Sequence, residues 1–390
     1  MRVLVCHVRY RLAGGEDAVF ETEIGILRDA GVDVATLDLR SADLDRLPVT
    51  TRARIAGAYP NHAWGRDLVR QAVEEHKPDI VHFHNVYPLL GPGAIRAADA
   101  MGCATVQTLH NYRLSCLAGT HLLKGEICQR CAPHSYRPGV VRGCYRHSRL
   151  QSALVSAATN RQWDDFVHSG TPSCWLALTA FMRDHFVSCG APASRVIVKA
   201  NSVAKGHPHG QDGRSGVFCG GRLSPEKGIV QFMRAWPTDA PTLTVAGGGP
   251  LEDEIRENLR PNIRFLGSVD HDTMIAEVSQ ALVVAMPSVW PEPLPLIALE
   301  ALAEGTPVVA FEGWSLGSVV HELSRDCVVD FHDFPKLAER ALEISSVSWW
   351  DRLSTRCVSL WQDAYSHDVN LSALLHAYGR AVEEKAMSAR

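Results

Sequence analysis

The chain has 390 residues, enough for two domains with a core each, and its 46% hydrophobic and 21% charged residues are ordinary for a globular protein. A net charge of −4 carries no basic excess of the kind nucleic-acid binders show, so no nucleic-acid partner is expected. No apolar run approaches the roughly 18 residues of a membrane span, and MRVLVCHVRY lacks an apolar stretch of signal-peptide length. The expectation is a cytoplasmic protein, free or resting on a membrane surface at its cytoplasmic face.

In chain order, apolar strands alternate with helical stretches. RVLVCHV is a strand, a loop with Gly14 and Gly15 follows, and AVFETEIGILRDAG is a helix. Then come the strand VDVATLDL, a helix near WGRDLVRQAVEEH, the strand DIVHFH, a helix near GAIRAADAMG, and the strand ATVQTLH, closed by His110. WLALT and RVIVKA read as the last strands of this half. The rhythm implies an α/β fold with a parallel sheet covered by helices on both faces. Residues 205–215, KGHPHGQDGRS, are polar and Gly- and His-bearing and read as a linker. The pattern restarts with GVFCGG, TLTVAGG, IRFLGS, ALVVAMPS and PVVAFEG. After Ser345 come Trp349, Trp350, Trp361 and Tyr365, and LSALLHAYGRAVEEKAM reads as an amphipathic final helix.

Between these elements lies a segment of another character, residues 112–149. It holds Cys116, Cys128, Cys131 and Cys144, with Cys128 and Cys131 as a CxxC pair. In a cytosolic chain four such thiols suit a structural zinc better than disulfides, and a loop-like segment without an evident core would gain from a metal staple. His121, His134 or His147 could replace one ligand; two disulfides or free thiols are the alternatives. The segment is also basic. Lys124, Arg130, Arg137, Arg142, Arg146 and Arg149 face Glu126 alone, a local charge of +5 that fits an acceptor phosphate, an anionic membrane surface, or a solvated loop.

Two motifs carry chemistry. In Glu292-Pro-Leu-Pro-Leu-Ile-Ala-Leu-Glu300 two carboxylates sit in an apolar run. Burying them is costly without polar partners, and sugar and ribose hydroxyls are partners of the right kind. The helix expected after Pro295 offers backbone N–H groups to a phosphate. In SGVFCGGRLSPEKGI a strand runs into Gly220-Gly221, and Arg222 and Lys227 bring a planar fork and a point charge that together suit a diphosphate. A nicotinamide site is excluded, because neither GGGPLEDE nor CGGRLSPEKG completes G-x-G-x-x-G.

Together these motifs resemble the family 4 glycosyltransferases, and the resemblance extends through GGEDAVFETE, PDIVHFHNVYPLLGPGAI, TLHNYRLSC, VIVKANSV, LTVAGGGPLEDEI and IRFLGSV. It implies the GT-B fold: two Rossmann-like, doubly wound domains facing a central cleft. The expected boundaries are 1–204 for the acceptor-side domain, 205–215 for the linker and 216–365 for the nucleotide-sugar domain. The helix 366–390 is expected to cross back to the first domain. The resemblance implies a retaining transfer of a sugar from a nucleotide diphosphate sugar, UDP- or GDP-linked, to an acceptor hydroxyl on a sugar, lipid-linked or natural-product acceptor. His110 would meet the transferred sugar, Glu292 would position it, and Arg222 and Lys227 would hold the diphosphate. Gly14, Gly15, Gly221, Gly249, Leu266, Val269, Leu294, Pro295, Leu296 and Glu300 would bind the donor, with Glu300 on the ribose. No cofactor is then required. Of two Asp-x-Asp triplets, Asp43-Leu44-Asp45 lies outside the motifs and Asp270-His271-Asp272 reads as a helix cap rather than a metal site. His82 and His84 share one strand face and read as core before acceptor-side groups. The rival readings are an epimerase or phosphorylase on the same fold, or a silent partner of another transferase.

Overall fold

The computed structural model describes residues 1–11, 14–59, 61–131 and 135–388. It divides into two compact units. The first comprises Met1–His121, Gln129–Ala200 and Asn370–Arg390; the second comprises Leu122–Cys128 and Asn201–Val369.

The strands are β1 (Arg2–Arg9), β2 (Asp33–Arg40), β3 (Ile80–Phe83), β4 (Ala104–Leu109), β5 (Leu122–Leu123), β6 (Glu126–Ile127), β7 (Cys174–Ala177) and β8 (Val196–Val198). They continue with β9 (Val217–Gly220), β10 (Leu243–Ala246), β11 (Ile263–Phe265), β12 (Val283–Met286), β13 (Val308–Phe311) and β14 (Val328–Val329). The first unit holds a six-stranded sheet ordered β2-β1-β3-β4-β7-β8, and the second a six-stranded sheet ordered β11-β10-β9-β12-β13-β14. Every pairing in both is parallel. This is the doubly wound order, and each sheet reverses direction once, between β1 and β3 and between β9 and β12. The short β14 has no counterpart in the sequence reading, since two residues are too few to show a period.

Central strands are apolar because both faces are covered. β3, β4 and β7 are buried throughout, whereas the edge strand β2 alternates between exposed and half-buried positions. One face of the first sheet packs Leu4, Val81 and Phe83 against Val69, Ile95 and Ala98. The other packs Val3, Val5 and Val106 against Phe20, Ile24 and Leu27. Leu374, Ala377, Tyr378 and Ala381 complete that second layer. Their spacing is one face of the helix His367–Ser388, whose residues from Asn370 onward belong to the first unit.

Two segments are more tightly packed than their composition suggests. Residues 205–215 fall within the unit Asn201–Val369, and Arg214 is built into it. The Arg214 guanidinium donates to Thr306 Oγ1 at 2.6 Å and to the Glu304 carbonyl at 2.7 Å, and lies 5.0 Å from the Trp350 ring. A polar stretch reads as a linker when its arginine's buried acceptors lie some ninety residues away. The Cys-rich segment, in turn, does not lack a core. Leu117, Cys131, Tyr136 and Val155 form one, with Val140, Cys144 and Tyr145 packed against it. Its β5–β6 hairpin turns at Lys124 (φ 55°) and Gly125 (φ 83°), the left-handed pair that a two-residue hairpin loop demands.

Candidate functional site

In open α/β sheets ligands bind beyond the carboxyl ends of the strands, at the switch point. In the first unit those ends carry the Gly14–Gly15 loop after β1, His84 and Asn85 after β3, and His110 to Arg113 after β4. Gly14 precedes the helix Gly15–Asp29, and its N–H donates to Asp17 Oδ2 at 3.2 Å. Asp17 also meets His7 Nε2 at 2.7 Å. Burial opposes its charge, but His7 and the Gly14 amide hold its carboxyl below the usual range. The Gly14 amide expected to meet a diphosphate is therefore already engaged by a carboxylate, and Gly15 is the remaining candidate in that loop.

His110 belongs to a buried chain of polar groups. Its Nε2 lies 3.0 Å from His84 Nδ1, with the rings stacked 5.1 Å apart. His84 Nε2 faces Glu23 Oε2 at 3.3 Å, off the direction of a good hydrogen bond, and Glu23 is ion-paired with the fully buried Lys199. Burial works against the Glu23 charge, but Lys199 above all, then His84, holds its carboxyl well below the ordinary range. Burial likewise lowers His82, His84 and His110, so all three are neutral at pH 7. A carboxylate only accepts, so it favours the proton of neutral His84 on Nε2. His84 Nδ1 then accepts from His110 Nε2–H, and His110 Nδ1 carries a lone pair suited to a hydroxyl. His110 lines a polar pocket with Asn85, Tyr87, Gln107, Arg113 and Gln162.

Glu23, His82 and His84 are, among the described residues, the one group of three metal-ligating side chains within mutual reach. Lys199 already neutralises Glu23, and His82 spends its nitrogens on Tyr378 Oη (2.9 Å) and Thr108 Oγ1 (2.8 Å). The set is a buried network of ion-pair and hydrogen-bond contacts in which only Glu23 Oε2 and His84 Nε2, facing each other, lack a well-directed bond. Sequence reasoning missed Glu23, Lys199 and Tyr378, because each sits in an ordinary amphipathic or strand pattern and its partner is distant in the chain. Of the thiols expected to hold a structural zinc, Cys116, Cys131 and Cys144 fall in the first unit and Cys128 in the second, while His134 lies outside the described residues.

In the second unit the switch-point loops follow β9 and β12. After β9 come Gly221 (φ 135°), the exposed Arg222, and Lys227 in a short turn. Gly228 then opens the helix Ile229–Ala235 at φ 66°, where a Cβ would lie 2.1 Å from the Pro287 carbonyl oxygen, so only glycine fits between the two loops. That approach helps bring Lys227 into an ion pair with Glu292, which sits after β12 and is 5% exposed. The Ser288 hydroxyl donates to the other Glu292 oxygen at 2.5 Å. Arg222 has no ion pair among the described residues. Leu294 is buried and pinned by Asn201 Nδ2 on its carbonyl at 3.0 Å. Pro295 stands before the helix Leu296–Ala303, whose first N–H groups have no intrahelical acceptor.

Glu300 lies in the second turn of that helix, 2.9 Å from His271 Nε2, and burial raises its carboxyl above the usual range. His271 went unread because Asp270 does cap the helix His271–Gln280, accepting from the Thr273 N–H at 2.8 Å, and capping accounted for the triplet. The loops after β10 and β11 join the same edge. Gly247 (φ 144°) donates to the Gly267 carbonyl at 2.7 Å, and a Cβ on it would collide with the Gly221 oxygen at 1.8 Å. Gly249, Leu266 and Val269 flank this contact, the last two half-buried. The structure thus gathers the expected donor residues of the second unit on one end of one sheet.

A family model described as Glycosyltransferase Family 4 matches residues 26–204, and one described as Glycosyl transferases group 1 matches residues 214–346. The phosphatidyl-myo-inositol mannosyltransferase of Mycolicibacterium smegmatis is 35% identical over 331 residues, covering 80% of this chain and 76% of that protein. The chain belongs to glycosyltransferase family 4. This family 4 member is also 36% identical over 268 residues to a glycogen synthase of Mycobacterium tuberculosis, covering 63% of this chain and 54% of that protein. It spans between a third and about half of the length of several curated relatives that it matches. The Anabaena protein HepE in complex with UDP superposes with a TM-score of 0.61 at 16% identity, covering 96% of this chain and 99% of that one, which establishes the GT-B fold.

Proposed function

We propose that this family 4 member is a retaining glycosyltransferase that moves a sugar from a UDP- or GDP-linked donor to an acceptor hydroxyl. The observation that carries the reading is the switch-point edge of the second sheet, where Arg222, the Lys227–Glu292 pair, Glu300 and a helix N-terminus stand together. As the bond from the anomeric carbon to the diphosphate breaks, negative charge grows on the leaving oxygen. Arg222, Lys227 and the N–H groups of the helix Leu296–Ala303 answer it, a preorganised electrostatic stabilisation that needs no metal at the diphosphate. A bound diphosphate competes with Glu292 for Lys227, and the released Glu292 carboxylate accepts hydrogen bonds from the donor sugar. Glu300 takes the ribose hydroxyls. The acceptor oxygen bonds to the anomeric carbon, and its proton passes to the departing phosphate oxygen. His110 Nδ1 serves as an acceptor for a sugar hydroxyl.

The UDP complex of HepE supports a uridine donor, and the mannosyltransferase relative supports a lipid-linked acceptor met at a membrane surface. No helix among the described residues is long and apolar enough to cross a membrane. The test is thermal unfolding with UDP, GDP, TDP and ADP, each with Mg²⁺ and with EDTA. A nucleotide at about 100 times its dissociation constant adds roughly 2.7 kcal/mol of stability. The expected outcome is a shift with UDP or GDP that survives EDTA and is lost in Glu300→Ala. Absence of any nucleotide shift removes the transferase reading in favour of a silent partner.

A further inference from the structure

Among the described residues, the pocket that holds His110 contains a cation with no carboxylate in ion-pair contact. Arg113, half-buried on its wall, has no carboxylate within ion-pair distance among the described residues. Its guanidinium lies 5.5 Å from the Tyr87 ring and 5.2 Å from the Tyr145 ring. It donates one bond to the Leu117 carbonyl at 3.3 Å and a long one to Tyr10 Oη at 3.4 Å. A guanidinium has five N–H donors, so most of its capacity remains unused. A second guanidinium, that of the exposed Arg146, lies 5.4 Å from the same Tyr145 ring and likewise has no carboxylate partner. Two like charges gathered on one phenol ring repel each other unless an anion joins them. Aromatic rings hold both guanidiniums in place without neutralising them, which is what a site for an incoming anion requires. Apart from Glu16, the rest of the wall is uncharged and includes a run of hydrogen-bonding groups. Tyr87 Oη donates to Gln162 Oε1 at 2.8 Å, and Gln162 Nε2 donates to Gln107 Oε1 at 2.6 Å. Glu16 also lines the pocket and would turn away a dianion at its own end.

We propose that Arg113 and Arg146, carried on Tyr145, bind a phosphate group of the acceptor, so that the acceptor class is a phosphorylated one and its phosphate sets the hydroxyl before His110. The inference rests on the transferase reading above and names the acceptor side of it. Planar guanidiniums bind tetrahedral phosphate oxygens in pairs, and the neutral amides suit the polyol that bears the phosphate. Such a phosphate can be presented by a lipid or by a soluble ester. Val141 and Leu150, 55% and 71% exposed beside Arg142, Arg146 and Arg149, give the same segment the apolar and basic surface that would meet a lipid layer.

The experiment uses the full chain with its nucleotide site saturated by UDP or GDP, so that phosphate reports on the second site. Binding of sn-glycerol 3-phosphate, with glycerol as the neutral control, is measured by calorimetry, and co-sedimentation is measured with phosphatidylcholine vesicles with and without phosphatidylglycerol. The expected result is binding of the phosphate ester and not of glycerol. Arg146→Gln should weaken it about 3- to 10-fold and Arg113→Lys more than 10-fold, with the nucleotide shift unchanged in both. Arg113→Lys keeps the charge and loses the planar fork, which guards against a variant that merely fails to fold. Vesicle binding that needs phosphatidylglycerol and falls in Leu150→Ser, while the soluble ester still binds, assigns the phosphate to a lipid; ester binding without vesicle binding assigns it to a soluble acceptor. Equal affinity of wild type and both variants for the ester, or no binding of the ester while nucleotide binds, overturns the inference and leaves the transferase reading standing. Loss of nucleotide binding in the wild type would instead sink that reading first.

Discussion

The carboxyl ends of β1, β3 and β4 in one sheet and of β9 and β12 in the other occupy equivalent places in the same strand order, yet they handle charge in opposite ways. In the first unit Glu23, Lys199, His82, His84 and Tyr378 are buried in contact with one another, and His110 is the end of that chain. In the second, Arg222 stands exposed, Lys227 and the buried Glu292 pair at the strand ends, and Glu300 leans on an exposed histidine. A network closed on itself fixes geometry, whereas charges with spare capacity wait for a ligand. Substitutions should therefore cost stability in the first unit and turnover in the second.

The largest effect expected is on folding. Glu23→Gln leaves the Lys199 ammonium buried without a counterion and should cost roughly 3–5 kcal/mol, seen as a lower unfolding temperature and reduced soluble yield. Replacing both by Met and Leu should recover much of that loss. A Glu23→Gln protein as stable as wild type would break the contrast at its strongest point.

Next comes Lys227→Ala, which should lower kcat for nucleotide-sugar turnover about 10²- to 10³-fold, with a smaller loss of stability than Glu23→Gln because Ser288 still donates to Glu292. A large stability loss without a rate defect would make the Lys227–Glu292 pair structural and erase the difference between the units.

The pH dependence sharpens the comparison. His82, His84 and His110 titrate near pH 6.5 when unfolded and lower when folded, because burial disfavours their charge. Below about pH 6.5 the unfolded state therefore binds more protons, and stability falls on acidification. Glu23 acts in the same direction at lower pH, its stabilisation being lost as pH drops through its depressed folded value. Unfolding temperature at pH 5.5 should lie below that at pH 7.5, and His84→Gln should flatten the slope; an unchanged slope in that variant would remove His84 from the account.

The smallest effect is expected at His271→Ala. Losing its hydrogen bond to Glu300 should change stability by about 1 kcal/mol or less, since His271 is exposed, while altering nucleotide affinity modestly. Nucleotide affinity reduced as far as in Glu300→Ala would promote His271 to a ligand in its own right.

Much of this molecule was legible before any coordinates. Apolar runs such as IVHF and VVAM, the Gly-bearing turns after β9 and β10, the Asp270 cap and the carboxylates at 292 and 300 are local patterns, and periodicity with turn chemistry places local patterns well. The Lys227–Glu292 pair was half legible, since each residue stood in its own motif while their mutual contact depends on the Gly228–Pro287 approach. The Glu23–Lys199 pair was not legible at all. Glu23 looks like any helical glutamate and Lys199 like the polar end of a strand, and 176 residues separate them. The contacts of Arg214 were illegible for the same reason, as was the apolar core that Tyr136 and Leu117 supply within the Cys-rich segment.

By itself the sequence determined the parallel α/β class, the family, and which residues stand at strand ends, because backbone periodicity and glycine conformations act over a few residues at a time. Only the tertiary structure decided which charges are spent and which remain available. That depends on burial and on partners brought together from distant segments, and the cost of an unpaired charge is set by the whole of its surroundings.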